Sequence, residues 1–165
     1  MTQFDDGTRM VAESAAPGGG MAMGTEEGIA FSRGMAVGSE AALARQANRR
    51  ERLQTAIAKV EASDDATALA VIGGLLAERP NDAAALNLKA RIEMNRGDLT
   101  AAESTLDQCI RSNPRSYYAF YNMARVLLKL RPGEDGRKSA RKYYKRGRDV
   151  GGPKDADLER DIVEL

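Results

Sequence analysis

From residue 39 onward, hydrophobic positions recur every three or four residues, and no stretch alternates between apolar and polar as a strand would. The clearest apolar stripe follows the helical spacing i, i+3, i+4, i+7 and consists of Leu53, Ala56, Ile57 and Val60. This pattern predicts a first helix from Ser39 to about Ala62, because a serine hydroxyl caps free backbone amides at a helix start. The polar and apolar positions therefore predict an all-α fold.

Aspartates and prolines mark where the predicted helices start and stop. Asp64 and Asp65 offer a turn and an N-cap, and the apolar run that follows ends at Pro80, which cannot continue a hydrogen-bonded helix. Pro114 lies 34 residues after Pro80, and the segments ERPND and SNPRS around the two prolines correspond at that offset. A helix pair fills the interval between them, so the chain contains a repeat of 34 residues.

A 34-residue helix-turn-helix unit that ends in proline resembles the tetratricopeptide repeat. In the unit 83–116 the matching inner positions are Leu86, Ala90, Ala102, Leu106 and Cys109. In the unit 117–154 they are Phe120, Met123, Ala124 and Leu127 in the first helix, then Ala140, Tyr144 and Gly147 in the second. The segment RPGEDGRKS adds four residues before Ala140, which predicts an enlarged loop between the two helices of this unit.

The resemblance implies a short right-handed helical solenoid with about three helix pairs. The repeats are expected at 49–82, 83–116 and 117–154, followed by a polar-faced capping helix at 155–165, so that residues 39–165 form one repeat domain. The phrase ARKYYKRGRDVGGPKDADLER is similar to the final repeat of many bacterial proteins of this class.

Proteins with this repeat hold peptide segments on the concave surface, so the resemblance implies a protein-interaction adaptor or assembly subunit. The partner-binding residues implied by position are Asn87, Arg91, Met94, Tyr118, Tyr121, Arg125 and Leu128. The alternative for the two tyrosines is packing against a neighbouring helix. Leu53, Ile57 and Tyr118 stand where some relatives hold a chaperone's C-terminal carboxylate, and these residue types disfavour that role.

Composition excludes several kinds of chemistry. The chain has no histidine and one cysteine, Cys109, so it contains neither a His-dependent catalytic site nor an internal disulfide. No nucleotide-binding loop or metal-ligand spacing is present, so we expect no enzyme activity, no cofactor and no metal. No apolar run reaches the length of a membrane span, and the first residues do not look like a signal peptide. We therefore expect a cytoplasmic protein without membrane insertion.

A basic run between Arg131 and Arg148 contains eight cations and two tyrosines, Tyr143 and Tyr144. It offers an alternative function, the binding of RNA or of another acidic ligand through the third repeat. The formal net charge of the whole chain is only +1. Because the cations also spread around the predicted helix, and no nucleic-acid-binding fold accompanies them, the sequence favours a protein partner over a nucleic acid.

Residues 1–38 differ from the rest and are expected to form a flexible arm. They hold eight of the sixteen glycines and five carboxylates against two arginines. The segment GMAMGTEEGIAFSR is followed directly by the similar GMAVGSEAALARQA, which indicates either a duplication without function or a repeated docking element. The arm is predicted to dock on its own chain, on a neighbouring copy or on a partner through Met21, Met23, Ile29, Phe31 and Met35.

Overall fold

The computed structural model describes the backbone of residues 26–163 and the side chains of residues 39–163. The helices in this part of the chain are α1 (Glu26–Glu61), α2 (Asp65–Glu78), α3 (Ala83–Asn95), α4 (Leu99–Ser112), α5 (Tyr117–Leu130), α6 (Glu134–Asp149) and α7 (Ala156–Val163). No described residue belongs to a strand. The predicted all-α repeat solenoid is confirmed. Two compact units are distinguished, residues 1–43 and 44–165, and the packing described below lies within the second.

Helix α1 begins at Glu26, so the predicted start at Ser39 is wrong. The tandem pattern of the sequence accounts for the difference, because Thr25 and Glu26 hold in the first copy the places that Ser39 and Glu40 hold in the second. The same start signal therefore occurs twice along the chain, and the described part of α1 already includes Glu26. The glycines between the two signals each cost about 1 kcal/mol relative to alanine, and they do not end the helix.

This longer helix changes the position of the predicted arm residues. Ile29, Phe31 and Met35 belong to the backbone of α1. Met21 and Met23 lie outside the described residues.

Aspartate side chains accept backbone N–H groups at the N-termini of four described helices, and the one before α7 is Asp155. Asp64 accepts a hydrogen bond from the Thr67 N–H at 3.3 Å, which confirms the predicted turn and cap before α2. Asp82 caps α3, and Asp98 caps α4. Each cap satisfies backbone amides that have no partner inside the helix, a contribution of about 1 kcal/mol.

The hydrophobic core consists of three clusters, each shared by three successive helices. One joins α1, α2 and α3 and includes Ala56, Ile72 and Ile92. The second joins α3, α4 and α5, and the third joins α5, α6 and α7. The inner positions predicted for the units 83–116 and 117–154 are all buried. Alanines at many of these positions let neighbouring helix backbones approach closely.

The predicted enlarged loop in the third helix pair is absent. Only residues 131–133 separate α5 from α6, the same length as the connection between α3 and α4, and the additional residues form the first turn of a longer α6. Gly136 allows this close return of the chain, because a Cβ atom there would lie 1.7 Å from the Arg131 carbonyl oxygen. A tight turn therefore replaces the loop that the inserted residues suggested.

Helix α7 packs against α5 and α6 at the end of the repeat array. Leu158 and Ile162 are buried in the third cluster, while Asp157, Arg160 and Asp161 on the other face are exposed. This polar outer face is the one expected for a capping helix.

Candidate partner-binding groove

An open groove of about 500 Å³ is lined by α1, by α3 and by the first turns of α5, and its surface is mainly apolar. It exists because the apolar stripe of α1 is wider than the surface that α2 and α3 cover. Ala56 and Val60 are buried against those helices, whereas Ile57 is 40% exposed and lines the groove. Leu53 lies beside it, one helical turn earlier. The groove therefore offers apolar side chains to a ligand.

A line of polar side chains joins α3 to α5 along this groove. The Asn87 amide donates to the Ala83 carbonyl at 2.9 Å and to the Ser116 hydroxyl at 3.3 Å. The Asn122 amide donates to Asn87 Oδ1 at 3.4 Å, and Arg125 donates to Asn122 Oδ1 at 3.5 Å. These contacts fix the side chains of both helices relative to one another, so the polar edge of the groove is preorganised.

Beyond Arg125 the polar line ends at α7. The Arg125 guanidinium forms an ion pair with Asp155 in the segment that precedes α7. This pairing leaves Arg125 partly buried and already bound to a carboxylate of the same chain. Arg125 thus joins α5 to the capping helix.

Tyr121 does not lie on the groove surface. Its side chain is 4% exposed, and its hydroxyl donates a hydrogen bond of 2.6 Å to the Pro153 carbonyl. Its ring occupies the space above Gly147, where a Cβ atom would come within 2.4 Å of the ring. The prediction that Tyr121 contacts a partner is therefore wrong, and Tyr121 is a core residue. Packing inside the protein is the alternative that the sequence left open for the tyrosines.

The other predicted contacts differ in exposure. Asn87, Arg91 and Tyr118 line the groove, and Tyr118 is 61% exposed, with its ring centroid 4.1 Å from that of Tyr117. Arg91 is exposed and has no ion pair among the described residues. Met94 and Leu128 are partly buried against the core clusters. The structure therefore brings three of the seven predicted residues together in the groove.

The sequence profile of the tetratricopeptide repeat matches the chain twice, at residues 53–109 and 87–153, which together span more than half of its length. The chain belongs to the tetratricopeptide repeat family. Tetratricopeptide repeats generally mediate protein–protein interaction or assembly, and their proteins are typically non-catalytic adaptors. No match is found among curated proteins.

The groove residues of this tetratricopeptide repeat chain that were not among the predicted contacts include Leu53, Ile57 and Asn122. The signal for the first two was the width of the α1 stripe, which holds more apolar positions than one neighbouring helix pair can cover. Asn122 carried a weaker signal, since it follows Asn87 by 35 residues, one more than the repeat length. Its partner across the groove depends on how α5 is rotated about its own axis.

Cys109 lies beneath the groove and is a packing residue. It is fully buried, and Asn87 and the Ala83 carbonyl lie near its sulfur atom. Burial raises the pKa of the Cys109 thiol to about 11, so the thiol stays protonated at neutral pH. A protonated and buried thiol is a poor nucleophile, which agrees with its small-residue place in the repeat.

The part of the chain that the structure describes has no group of three cysteine, aspartate or glutamate side chains that could hold a metal ion. None of its helices has the length and apolar character needed to cross a membrane.

Proposed function

We propose that this chain is a non-catalytic cytoplasmic adaptor or assembly subunit that binds a peptide segment of a protein partner in the groove. The observation that carries the proposal is the groove itself, where the exposed side chains of Ile57 and Tyr118 lie beside Arg91, which has no ion pair among residues 39–163. Burial of apolar area drives association, and tyrosine and arginine are enriched among the residues that dominate binding energy.

The chemistry of the groove indicates the kind of peptide. An apolar side chain of the peptide would cover Leu53 and Ile57, which are otherwise exposed to water. A carboxylate one or two residues away would pair with Arg91, whose guanidinium forms strong charge-assisted hydrogen bonds. The preferred segment therefore combines a large apolar residue with an aspartate or glutamate.

Replacing Arg91 and Tyr118 together by alanine is expected to weaken peptide binding by about 2 kcal/mol, or about 30-fold in Kd, because both are exposed anchor positions. A library of synthetic 12-residue peptides is screened with the wild-type chain, and the tightest peptide is titrated by calorimetry. Matched controls are Arg79→Ala and Arg115→Ala, which remove exposed arginines outside the groove centre. Unchanged affinity in a double variant with unaltered circular dichroism would contradict the groove assignment.

We further propose that the N-terminal segment, residues 1–38, docks on the repeat domain of its own chain, of a neighbouring copy or of a partner. Its excess of carboxylates complements Arg91, and its methionines, with Ile29 and Phe31, can bury apolar area on the groove. Because Ile29, Phe31 and Met35 belong to α1, the residues before Glu26 are the ones tested below.

A chain that begins at Glu26 separates the modes of docking. Docking on the same groove predicts that the shortened chain binds the selected peptide more tightly, since a competing segment has been removed. Its oligomeric state should then equal that of the full chain. Docking on a neighbour predicts that an oligomer of the full chain becomes a monomer in sedimentation. If the shortened chain keeps the oligomeric state of the full chain and its affinity for peptide and for partner, docking through residues 1–25 is excluded.

A further inference from the structure

Helix α6 carries a row of cations on the face that points away from the core. Its buried residues are Gly136, Ala140, Tyr144 and Gly147. The exposed residues on the opposite side follow the spacing i, i+3, i+4, i+7 and are Lys138, Arg141, Lys142 and Lys145, here named the cationic stripe. The expectation that the basic residues spread around the helix is therefore wrong for these four, because their spacing matches the helical period.

The cationic stripe has no counter-charge within the described chain. Neighbouring cations are neutralised, since Arg131 pairs with Glu103 and Arg137 pairs with Glu134. None of the four stripe residues has a carboxylate oxygen within 4.0 Å among residues 39–163. Like charges four residues apart destabilise a helix by a few tenths of a kcal/mol per pair. Two such pairs stand in the stripe, so its charge is a cost to the unbound protein.

We propose that the cationic stripe binds the phosphate backbone of duplex DNA without reading its sequence. The stripe extends over seven helical rises from Lys138 to Lys145, or about 10 Å. One DNA strand presents about three phosphates over that axial length. Lysine predominates in the stripe, and lysine acts on phosphate as a point charge rather than as a fork that selects one geometry. All four side chains are hydrogen-bond donors only, which suits the phosphate oxygens of a duplex, and because the same donors would also contact a ribose 2′-hydroxyl, an RNA duplex is included in the test.

The physical chemistry favours a stiff duplex over a flexible acidic peptide. A single exposed ion pair contributes about 0–1 kcal/mol, and a flexible peptide loses conformational entropy when four such pairs fix it. A duplex is already ordered, and each phosphate that a cation neutralises releases condensed counterions into solution. The stripe also contains no apolar side chain that could anchor a peptide. Its four charges therefore yield more binding free energy with DNA than with an acidic segment.

Two other anionic partners fit the structure less well. Binding of a single strand relies on aromatic side chains that stack on bases, but Tyr144 is buried and Tyr143 is packed against the core. Stable attachment of a surface helix to a membrane requires an exposed apolar face, whereas the apolar face of α6 is covered by α5 and α7. Duplex DNA remains as the partner that needs only a row of cations.

The proposal is independent of peptide binding. None of the residues that line the groove belongs to α6. Both surfaces lie within residues 44–165, the second compact unit, so one copy of the chain has a place for each ligand. An adaptor built in this way would bring a peptide partner to DNA.

The test is fluorescence anisotropy with a labelled 20-base-pair DNA duplex at several salt concentrations. About three phosphate contacts give the full chain a binding constant that falls about 40-fold between 50 and 200 mM salt. Changing all four stripe residues to glutamine should abolish duplex binding, and with it the dependence of the binding constant on salt. A control that changes the exposed cations Arg50, Arg79, Arg115 and Lys129 to glutamine alters the net charge equally, and it should keep both the binding and its salt dependence.

Several results would overturn the proposal. Equal loss of binding in the stripe variant and in the control would show an effect of net charge alone. Absence of duplex binding at 50 mM salt, tighter binding of a single strand or an RNA duplex, or binding only to vesicles of phosphatidylserine would each assign the stripe to another ligand or to none. Because the changed side chains are exposed, both variants should fold like the parent. Circular dichroism checks this by comparing their helix content with that of the parent.

Discussion

Replacing Phe120 by aspartate is expected to destabilise the fold by about 4 kcal/mol or more. Phe120 is 2% exposed and lies in the cluster that joins α5, α6 and α7. A Cβ atom added at Gly147 of α6 would lie only 3.2 Å from the Phe120 Cβ atom, and the Phe120 ring lies 6.5 Å from that of Tyr143 between centroids. Aspartate would remove the ring and bury a carboxylate, so a large part of a typical free energy of unfolding of 5–15 kcal/mol would be lost.

The measurement is urea denaturation followed by far-ultraviolet circular dichroism. Phe120→Leu serves as the matched control, because it keeps an apolar side chain of similar volume, and we expect it to cost about 1 kcal/mol. The guanidinium of Arg146 lies 5.5 Å from the Phe120 ring centroid, so this cation is close enough to offset part of the new charge. An aspartate variant with the same urea midpoint as the parent would contradict the described packing of α5 against α6.

Replacing Asp82 by alanine is expected to cost about 2–3 kcal/mol, because this carboxylate serves two purposes. Its Oδ1 atom accepts the N–H groups of Ala84 and Ala85, each at 3.1 Å, at the start of α3. The same carboxylate receives two hydrogen bonds from the Arg49 guanidinium, at 2.5 and 2.9 Å. Asp82 thereby joins α1 to the second helix pair, and its side chain is only 2% exposed.

The pH dependence of stability separates the ion pair from the cap. Burial, the largest single influence, raises the pKa of Asp82, but the hydrogen bonds from Arg49, Ala85 N–H and Ala84 N–H and the charge of Arg49 together outweigh it and hold the pKa below its ordinary value. A lowered pKa in the folded state stabilises the fold at a pH above the unfolded pKa of about 4, and this stabilisation is lost as the pH falls through the lower folded value.

Asp82→Asn is the variant that isolates the charge, since its amide oxygen still accepts the two backbone N–H groups. Urea titrations of the parent and of this variant should therefore differ at pH 7 and converge as the pH falls below the ordinary aspartate pKa of about 4. Combining Asp82→Asn with Arg49→Gln should cost less than the sum of the two single changes. A difference in stability that does not shrink as the pH is lowered further would show that the charge of Asp82 does not contribute.

Several features of the fold follow from local patterns and could be read from the chain alone. The 34-residue spacing of Pro80 and Pro114 defines where helix pairs end, and Asp64 marks the start of α2. The inner positions of the second and third pairs, such as Leu106 and Met123, are buried as the repeat pattern predicts. These features depend on interactions within a turn or on the helical period, so neighbouring residues are enough to specify them.

Half of the candidate site also follows from repeat position. Asn87, Arg91 and Tyr118 lie in the groove because the first helix of each pair presents the same face to it. The exposure of Leu53 and Ile57 does not follow in the same way, since an apolar stripe predicts burial until the covering helices are known.

The sequence by itself determined the all-α class, the repeat length and the buried stripes, because each is specified within one helix or one turn. Only the tertiary structure decided that Tyr121 belongs to the core while Tyr118 stays exposed, although both lie on α5. Tyr121 is buried because Gly147 on α6 leaves space for its ring and Pro153 before α7 accepts its hydroxyl hydrogen bond. Those partners are distant along the chain. Whether a side chain at the border of an amphipathic face is buried or exposed therefore depends on which other helices pack against it.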